Sequence, residues 1–164
     1  MLLLLRSIFF TFLLPGTVTV LIPYWIILSS DAGISSDHSA LRYFGLPPIA
    51  IGASGLLWCI WEFFSEGRGT LAPVDPPRHL VVRGLYRYVR NPMYVAVVMI
   101  LIGESILFMS TRVLVEAVVF FVSAYLFVVF YEEPILRMQF GESYEKYLHQ
   151  VGRWIPRPRS KADL

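Results

Sequence analysis

The sequence has little charge and almost no cysteine. Charged residues make up 16% of its 164 residues, whereas hydrophobic residues make up 56%. The single cysteine, Cys59, excludes an intrachain disulfide, and its apolar surroundings indicate a small buried hydrophobic residue. A water-soluble protein of this size has too little interior to hide so much apolar surface. The composition therefore indicates a protein embedded in a lipid bilayer.

Four apolar segments have about the length needed to cross a bilayer. A transmembrane helix takes about 20 apolar residues, and lipid offers the backbone no hydrogen-bond partners, so each segment is predicted to be helical. The third is short, the first is broken by Pro15 and Pro23, and residues 109–112 leave room only for a tight hairpin between the last two. The segments are approximately 7–28, 46–64, 94–109 and 113–131.

The basic residues are distributed asymmetrically between the loops. With a cytoplasmic N-terminus, twelve of the fourteen Lys and Arg residues fall in cytoplasmic segments, and only Arg42 and Arg112 fall outside. Because basic residues accumulate on the cytoplasmic side, we predict a multi-pass protein with both termini and loop 65–91 in the cytoplasm. A secretory signal peptide over residues 1–30 is the competing interpretation. Its apolar run is too long for that, and it shows no clear cleavage site.

Two short motifs interrupt the regular helical pattern. Asn91 followed by Pro92 is typical of a helix start. Glu132-Glu133-Pro134 predicts that the last apolar helix kinks or ends, because proline removes a backbone hydrogen bond. Beyond it, an amphipathic helical pattern predicts a helix along the membrane interface or over the loop. The residues that form this pattern are Phe140, Tyr144, Tyr147, Leu148 and Val151.

The hairpin brings two polar groups of residues to one membrane face, where charges are costly and usually functional. Glu132 and Glu133 suit a ligand with an ammonium or sulfonium charge, whereas Arg90 or the free amides of a helix start suit a carboxylate. Tyrosines nearby offer stacking faces for a purine. S-adenosylmethionine combines these features. The alternative is structural: Glu133 pairs with Arg137 and the arginines bind lipid phosphates.

A set of motifs in the C-terminal half resembles the isoprenylcysteine carboxyl methyltransferase family, and related membrane phospholipid methyltransferases share its glutamate pair. The similarity covers about residues 71–156. The motifs are Gly84-Leu85-Tyr86-Arg87-Tyr88-Val89-Arg90-Asn91-Pro92-Met93-Tyr94, Glu132-Glu133-x-x-Leu136, Phe140-Gly141-x-x-Tyr144-x-x-Tyr147 and Ile155-Pro156.

The resemblance implies an integral membrane enzyme that uses S-adenosylmethionine and takes a lipid substrate from the bilayer. Glu132 would hold the ammonium of the cofactor, and we assign Arg90 to the substrate. No residue is assigned as a catalytic base. The remaining cofactor-binding residues that the resemblance implies are Arg78, His79, Leu80, Val81, Tyr86, Asn91, Pro92, Met93 and Tyr94.

Three positions depart from the family pattern. Asn91 stands where eukaryotic relatives have histidine, so acid–base chemistry at this position is not expected. Ala96 stands where a glycine is usual. Val128 replaces an arginine that meets the substrate in prenylcysteine enzymes, which weakens the case for a prenylcysteine carboxylate as the acceptor.

The sequence therefore predicts an all-α integral membrane helical bundle of about four transmembrane helices and a C-terminal interfacial helix. Residues 1–64 would hold the first two helices, and residues 65–164 the catalytic half. The predicted function is methyl transfer from S-adenosylmethionine to a lipid-like or hydrophobic acceptor, without metal or nucleic acid and among membrane lipids. The alternatives are an NADPH-dependent membrane reductase of the sterol-reductase type, against which the glutamate pair argues, and a non-catalytic lipid-binding membrane protein.

Overall fold

The structure, a computed structural model, describes residues 13, 15–29, 40–66 and 82–157. These residues form helices and connecting turns, and within them the sole β-type pairing is an isolated parallel bridge between Val89 and Gly152. The all-helical prediction is confirmed for this part of the chain. The α-helices are α1 (Ile22–Leu28), α2 (Leu46–Glu66), α3 (Pro92–Leu107), α4 (Thr111–Phe127), α5 (Glu133–Phe140) and α6 (Glu142–Gln150).

Two continuous helical stretches are long and apolar enough to cross a membrane. They are Ala40–Glu62, which joins a 3-10 turn to α2, and Thr111–Phe140, which joins α4 to α5. In the apolar part of each stretch, only 28% and 22% of the chain, respectively, is buried inside the protein. Most of their apolar side chains therefore face outward. The shorter apolar helices Thr17–Leu28 and Pro92–Leu107 accompany them. These outward apolar faces suit a lipid environment.

Helices α2, α3 and α4 build the main core, and α2 and α3 make the most extensive contact. Small residues let these two backbones approach closely, a common device in membrane bundles. A Cβ added at Gly52 would lie 2.6 Å from the backbone oxygen of Ala96. A Cβ added at Gly103 would lie 2.6 Å from the backbone oxygen of Gly45. The buried core residues are Leu56, Ile60, Ala96, Val97, Ile100, Leu101 and Ala117.

Helices α3 and α4 form the predicted tight hairpin. Its turn places Met109 in the left-handed region, at φ 52°, and the Ser110 hydroxyl caps α4 by accepting from the backbone N–H of Val113 at 3.4 Å. The start of α3 and the end of the Thr111–Phe140 stretch therefore lie at the same end of the molecule.

Of the two outcomes predicted at Pro134, a kink or an end, the end is excluded, because the helical stretch Thr111–Phe140 runs through this residue. A π-helical turn at Val128–Glu132 precedes it, and the N–H of Glu133 bonds to the carbonyl of Val128, five residues back. Such a wide turn carries the chain past a residue that cannot donate a hydrogen bond. The same arrangement carries the first helix past Pro23, because Thr17–Leu21 is π-helical and the N–H of Ile22 bonds to the carbonyl of Thr17.

The predicted amphipathic C-terminal helix is present as α6. Its buried residues Tyr144 and Tyr147 form a second cluster with Val151, while the opposite face is exposed. Leu136, Phe140 and Leu148 pack against this cluster, which ties α6 to α5. The hydroxyl of Tyr147 donates to the backbone carbonyl of Tyr86 at 2.7 Å, so α6 also holds the segment that leads into α3.

Candidate functional site

Tyr94 and Glu132 meet across the helical hairpin. Tyr94 lies in the first turn of α3, and its hydroxyl donates to Oε2 of Glu132 at 3.5 Å. Glu132 is the last residue of the π-helical turn, a geometry that recurs at functional sites. Both side chains are partly buried. The expectation that the two motifs lie at one face of the molecule is thus confirmed for this pair.

Glu133, the second carboxylate, is buried and bound by two arginines. Arg90 Nη1 donates to its Oε1 at 2.9 Å, while Arg153 donates from Nε to Oε1 at 2.7 Å and from Nη2 to Oε2 at 2.9 Å. The expected pair of Glu133 with Arg137 is not formed. Arg137 instead bonds Glu145 on α6 at 3.0 Å, on the exposed surface.

The tail after α6 returns to the start of α3. The backbone N–H of Arg90 donates to the carbonyl of Gly152 at 2.9 Å, beside the Val89–Gly152 bridge. The side-chain amide of Asn91 donates to the carbonyl of Arg153 at 3.2 Å. Asn91 makes no side-chain capping bond, so its buried amide joins the tail to the helix start.

Trp154 packs into a group of aromatic rings beside Glu132. Its ring lies edge-on to Tyr94 at 6.3 Å and to Phe121 at 5.3 Å, and it stacks on Tyr125 at 6.4 Å. The guanidinium carbon of Arg153 lies 5.9 Å from the centre of the Tyr125 ring. Edge-on and offset contacts at such distances are favourable, so Trp154 fixes the tail against α3 and α4.

Tyr86 lies in the 3-10 turn Gly84–Arg87, which packs on α2. Burial raises the pKa of its phenol well above the usual value of 10, and Cys59, Glu132 and Glu62 raise it further. The Tyr86 phenol therefore stays protonated at neutral pH and is able to donate a hydrogen bond. Glu62 abuts the start of this turn: a Cβ at Gly84, where φ is +51°, would collide with its carboxylate.

The structure brings the described predicted residues into one region. Tyr94 contacts Glu132 directly, and Tyr86 lies within electrostatic range of Glu132. Arg90 is already bound to Glu133, so its contact with a substrate stays a prediction. Asn91, Pro92 and Met93 lead into or lie in the first turn of α3. Arg78, His79, Leu80 and Val81 lie outside the described residues.

The sequence interpretation assigned no site role to three residues of this region, although it placed Glu62 within reach of the loop arginines and Trp154 directly behind the amphipathic helix. Arg153, Trp154 and Glu62 reach this region from the tail and from α2. The sequence did hold one signal for the first two. Arg153 and Trp154 follow closely after the amphipathic helix, and a large aromatic residue at that place indicates a tail that packs against the protein. Nothing in the spacing indicated which partners they would have.

A comparison with protein families finds a match over more than half of the chain. A family model described as phospholipid methyltransferase matches residues 41–143, which include α2, α3, α4, α5 and the glutamate pair. No curated protein and no solved structure matches the chain.

Proposed function

Because the chain belongs to the phospholipid methyltransferase family, we propose that it is an integral membrane methyltransferase that uses S-adenosylmethionine and a lipid-like acceptor. The family relationship supports a membrane methyltransferase in general. We further propose that the chain crosses the membrane four times and that residues 65–164 form its catalytic half.

The observation that carries the proposal is the contrast between the two adjacent carboxylates. Glu133 is neutralised by Arg90 and Arg153. Within the described part of the chain, Glu132 receives a single hydrogen bond, the one of 3.5 Å from Tyr94. A partly buried carboxylate with so little compensation favours a cationic ligand, because a charge removed from water needs a partner. The ammonium of S-adenosylmethionine has the required charge.

The start of α3 suits the carboxylate of the same ligand. Pro92 occupies the first turn and Asn91 does not cap it, so the amides of Met93 and Tyr94 are without a side-chain cap. Uncapped amides at a helix start favour an anion. In this arrangement Glu132 and the first turn of α3 would hold opposite charges of the methionyl group, while the rings of Tyr94 and Tyr86 supply flat faces.

When bound, S-adenosylmethionine supplies an electrophilic methyl group on sulfonium. The residues of this chain would hold and orient the reactants and exclude water, which is a large contribution to a direct displacement. Burial raises the pKa of Tyr86, so its phenol stays protonated and is not a candidate base. A carboxylate acceptor needs no general base, whereas a protonated amine would have to give a proton to water or to a side chain before it attacks the methyl group. We assign no residue to that proton transfer.

The acceptor is proposed to be an amphipathic lipid other than a prenylcysteine carboxylate. Val128, at the position where prenylcysteine enzymes carry an arginine, is buried at the start of the π-helical turn. The family description, phospholipid methyltransferase, supports the same choice. The exposed apolar faces of α2 and α4 leave the bilayer as the natural source of such an acceptor.

Calorimetry and isotope transfer test this function on detergent-purified protein. We expect S-adenosylhomocysteine to bind and NADPH not to bind, because the site presents a glutamate to the ligand. With methyl-labelled S-adenosylmethionine and a lipid extract, label should appear in the lipid fraction in a base-stable form. A base-labile methyl ester on an N-acetylated farnesyl-cysteine would contradict the choice of acceptor. Binding of NADPH alone would favour the reductase, and binding of neither cofactor would favour a non-catalytic protein.

The orientation in the membrane is a separate prediction. The basic residues favour four crossings with both termini in the cytoplasm. A reporter fused after Leu164 should give a cytoplasmic signal, and one inserted within residues 31–42 should give an external signal. Either reporter on the opposite side would show that the number or the direction of the crossings is different.

A further inference from the structure

Glu133 occupies the centre of a buried ion-pair cluster in which three chain segments meet. Its side chain is 5% exposed, that of Arg90 is 9% exposed, and that of Arg153 is 29% exposed. Both carboxylate oxygens accept hydrogen bonds, and Arg153 uses two nitrogens in a forked grip. Such a fork fixes direction as well as distance.

The two arginines belong to the segments that frame the candidate cofactor site. Arg90 directly precedes Asn91 and the first turn of α3, and Arg153 directly precedes Trp154. Two hydrogen bonds join these segments to each other, one from the backbone N–H of Arg90 to the carbonyl of Gly152 and one from the side-chain amide of Asn91 to the carbonyl of Arg153. Glu133 attaches both segments to the helix that carries Glu132.

We infer that Glu133 is a positioning residue for the proposed cofactor site: through Arg153 and Arg90 it holds Trp154 and the start of α3 so that Tyr94 faces Glu132. This inference rests on the proposed function. An unbroken series of contacts connects Glu133 to Glu132. Arg153, which binds Glu133, is adjacent in the chain to Trp154, whose ring centre lies 6.3 Å from that of Tyr94. The Tyr94 hydroxyl lies 3.5 Å from Oε2 of Glu132. Glu133 itself is occupied by guanidinium groups and does not contact the ligand.

A buried ion pair of this kind is better explained by positioning than by stability. Taking charges out of water is costly, and an apolar replacement of equal size is often as stable. The arginines of this cluster, however, select one register of the tail against α3. In metal sites, groups that orient the ligating residues from behind change affinity or activity by about 10- to 100-fold when they are altered, and we expect an effect of the same order here.

The test uses Glu133→Gln, with Glu145→Gln as the matched control. Glu145 also pairs with an arginine, Arg137, but both of those side chains are 51% exposed. In purified full-length protein, Glu133→Gln should weaken binding of S-adenosylhomocysteine by at least about tenfold, and Glu145→Gln should leave it unchanged. Arg153→Lys keeps the positive charge but loses the two-nitrogen contact with Glu133. It is the second variant to measure if Glu133→Gln does not fold.

Fluorine NMR of 5-fluorotryptophan-labelled protein reports the tail directly. The chain has four tryptophans, and Trp154→Phe assigns the resonance of Trp154. We expect Glu133→Gln or Arg153→Lys to shift this resonance while the other resonances stay in place, together with the loss of affinity. A residue with a merely structural role would lower thermal stability without this local signature.

Each outcome decides between the proposals. If the wild-type protein does not bind S-adenosylhomocysteine, the proposed function fails and the positioning role fails with it. If the wild-type protein binds, and folded Glu133→Gln binds equally well with an unshifted Trp154 resonance, only the positioning role is overturned. If Glu133→Gln does not fold, and Arg153→Lys keeps both affinity and resonance, the positioning role is likewise overturned.

Discussion

Glu132→Gln is expected to weaken the binding of S-adenosylhomocysteine by roughly tenfold to a hundredfold. The substitution keeps the shape of the side chain and removes its charge. A hydrogen bond to a charged group contributes about 1.5–3 kcal/mol, and about 1.4 kcal/mol corresponds to a factor of ten. The effect should be at the upper end, because Glu132 is partly buried and has one long hydrogen bond from Tyr94 within the described residues.

The matched control for this prediction is Glu142→Gln. Glu142 lies in the first turn of α6, is exposed, and carries the same charge. Calorimetry on the three detergent-purified proteins should show the loss in Glu132→Gln alone. An unchanged affinity in a folded Glu132→Gln protein would exclude Glu132 as the ammonium ligand, and the assignment of the site would have to be rebuilt around other residues.

The meeting of Tyr94 and Glu132 could be predicted because it follows from chain connectivity. Two antiparallel helices joined by a short turn must present their far ends at one face, whatever the details of packing. The amphipathic helix α6 could be predicted for a similar reason, since its apolar residues recur with helical spacing. Both predictions depend on features local to a helix or a hairpin.

The partners of Glu133 could not be predicted, because they lie far away along the chain. Arg153 is 20 residues distant and Arg90 is 43 residues distant, whereas the rule for neighbouring helical residues offered Arg137. Exposed pairs at such spacing are weak, so Arg137 can turn to Glu145 at little cost. Arg153 and Arg90 bind Glu133 because the chain after α6 folds back against the segment that precedes α3, which brings both arginines to the buried carboxylate.

Pro134 shows a different limit. The rule that proline ends a helix assumes α-helical hydrogen bonding, in which the missing N–H and the ring both disturb the preceding turn. The π-helical turn Val128–Glu132 relaxes that assumption. The structure shows the same arrangement at Pro23, which follows the π-helical turn Thr17–Leu21. A π-helical turn thus precedes a proline at two places in this chain.

Gly52→Ala and Gly55→Ala are expected to change stability in opposite directions. The two glycines stand three residues apart on α2, and the sequence alone gives no reason to distinguish them. A Cβ at Gly52 would lie 2.6 Å from the backbone oxygen of Ala96 and 2.8 Å from the side chain of Ile100. Since the backbone of α3 cannot yield locally, Gly52→Ala should destabilise the fold by about 1–3 kcal/mol.

Gly55→Ala serves as the control, because its new methyl group would meet the Cβ of Ala96 at 3.7 Å, an ordinary contact. Replacing glycine by alanine inside a helix gains about 1 kcal/mol, so this variant should be slightly more stable than the wild type. The two variants should therefore differ by about 2–4 kcal/mol in thermal or denaturant unfolding of the purified protein. If Gly52→Ala is as stable as Gly55→Ala, then α2 and α3 do not pack closely at Gly52. The position of the Tyr86 turn, which packs on α2, relative to the start of α3 would then need a different explanation.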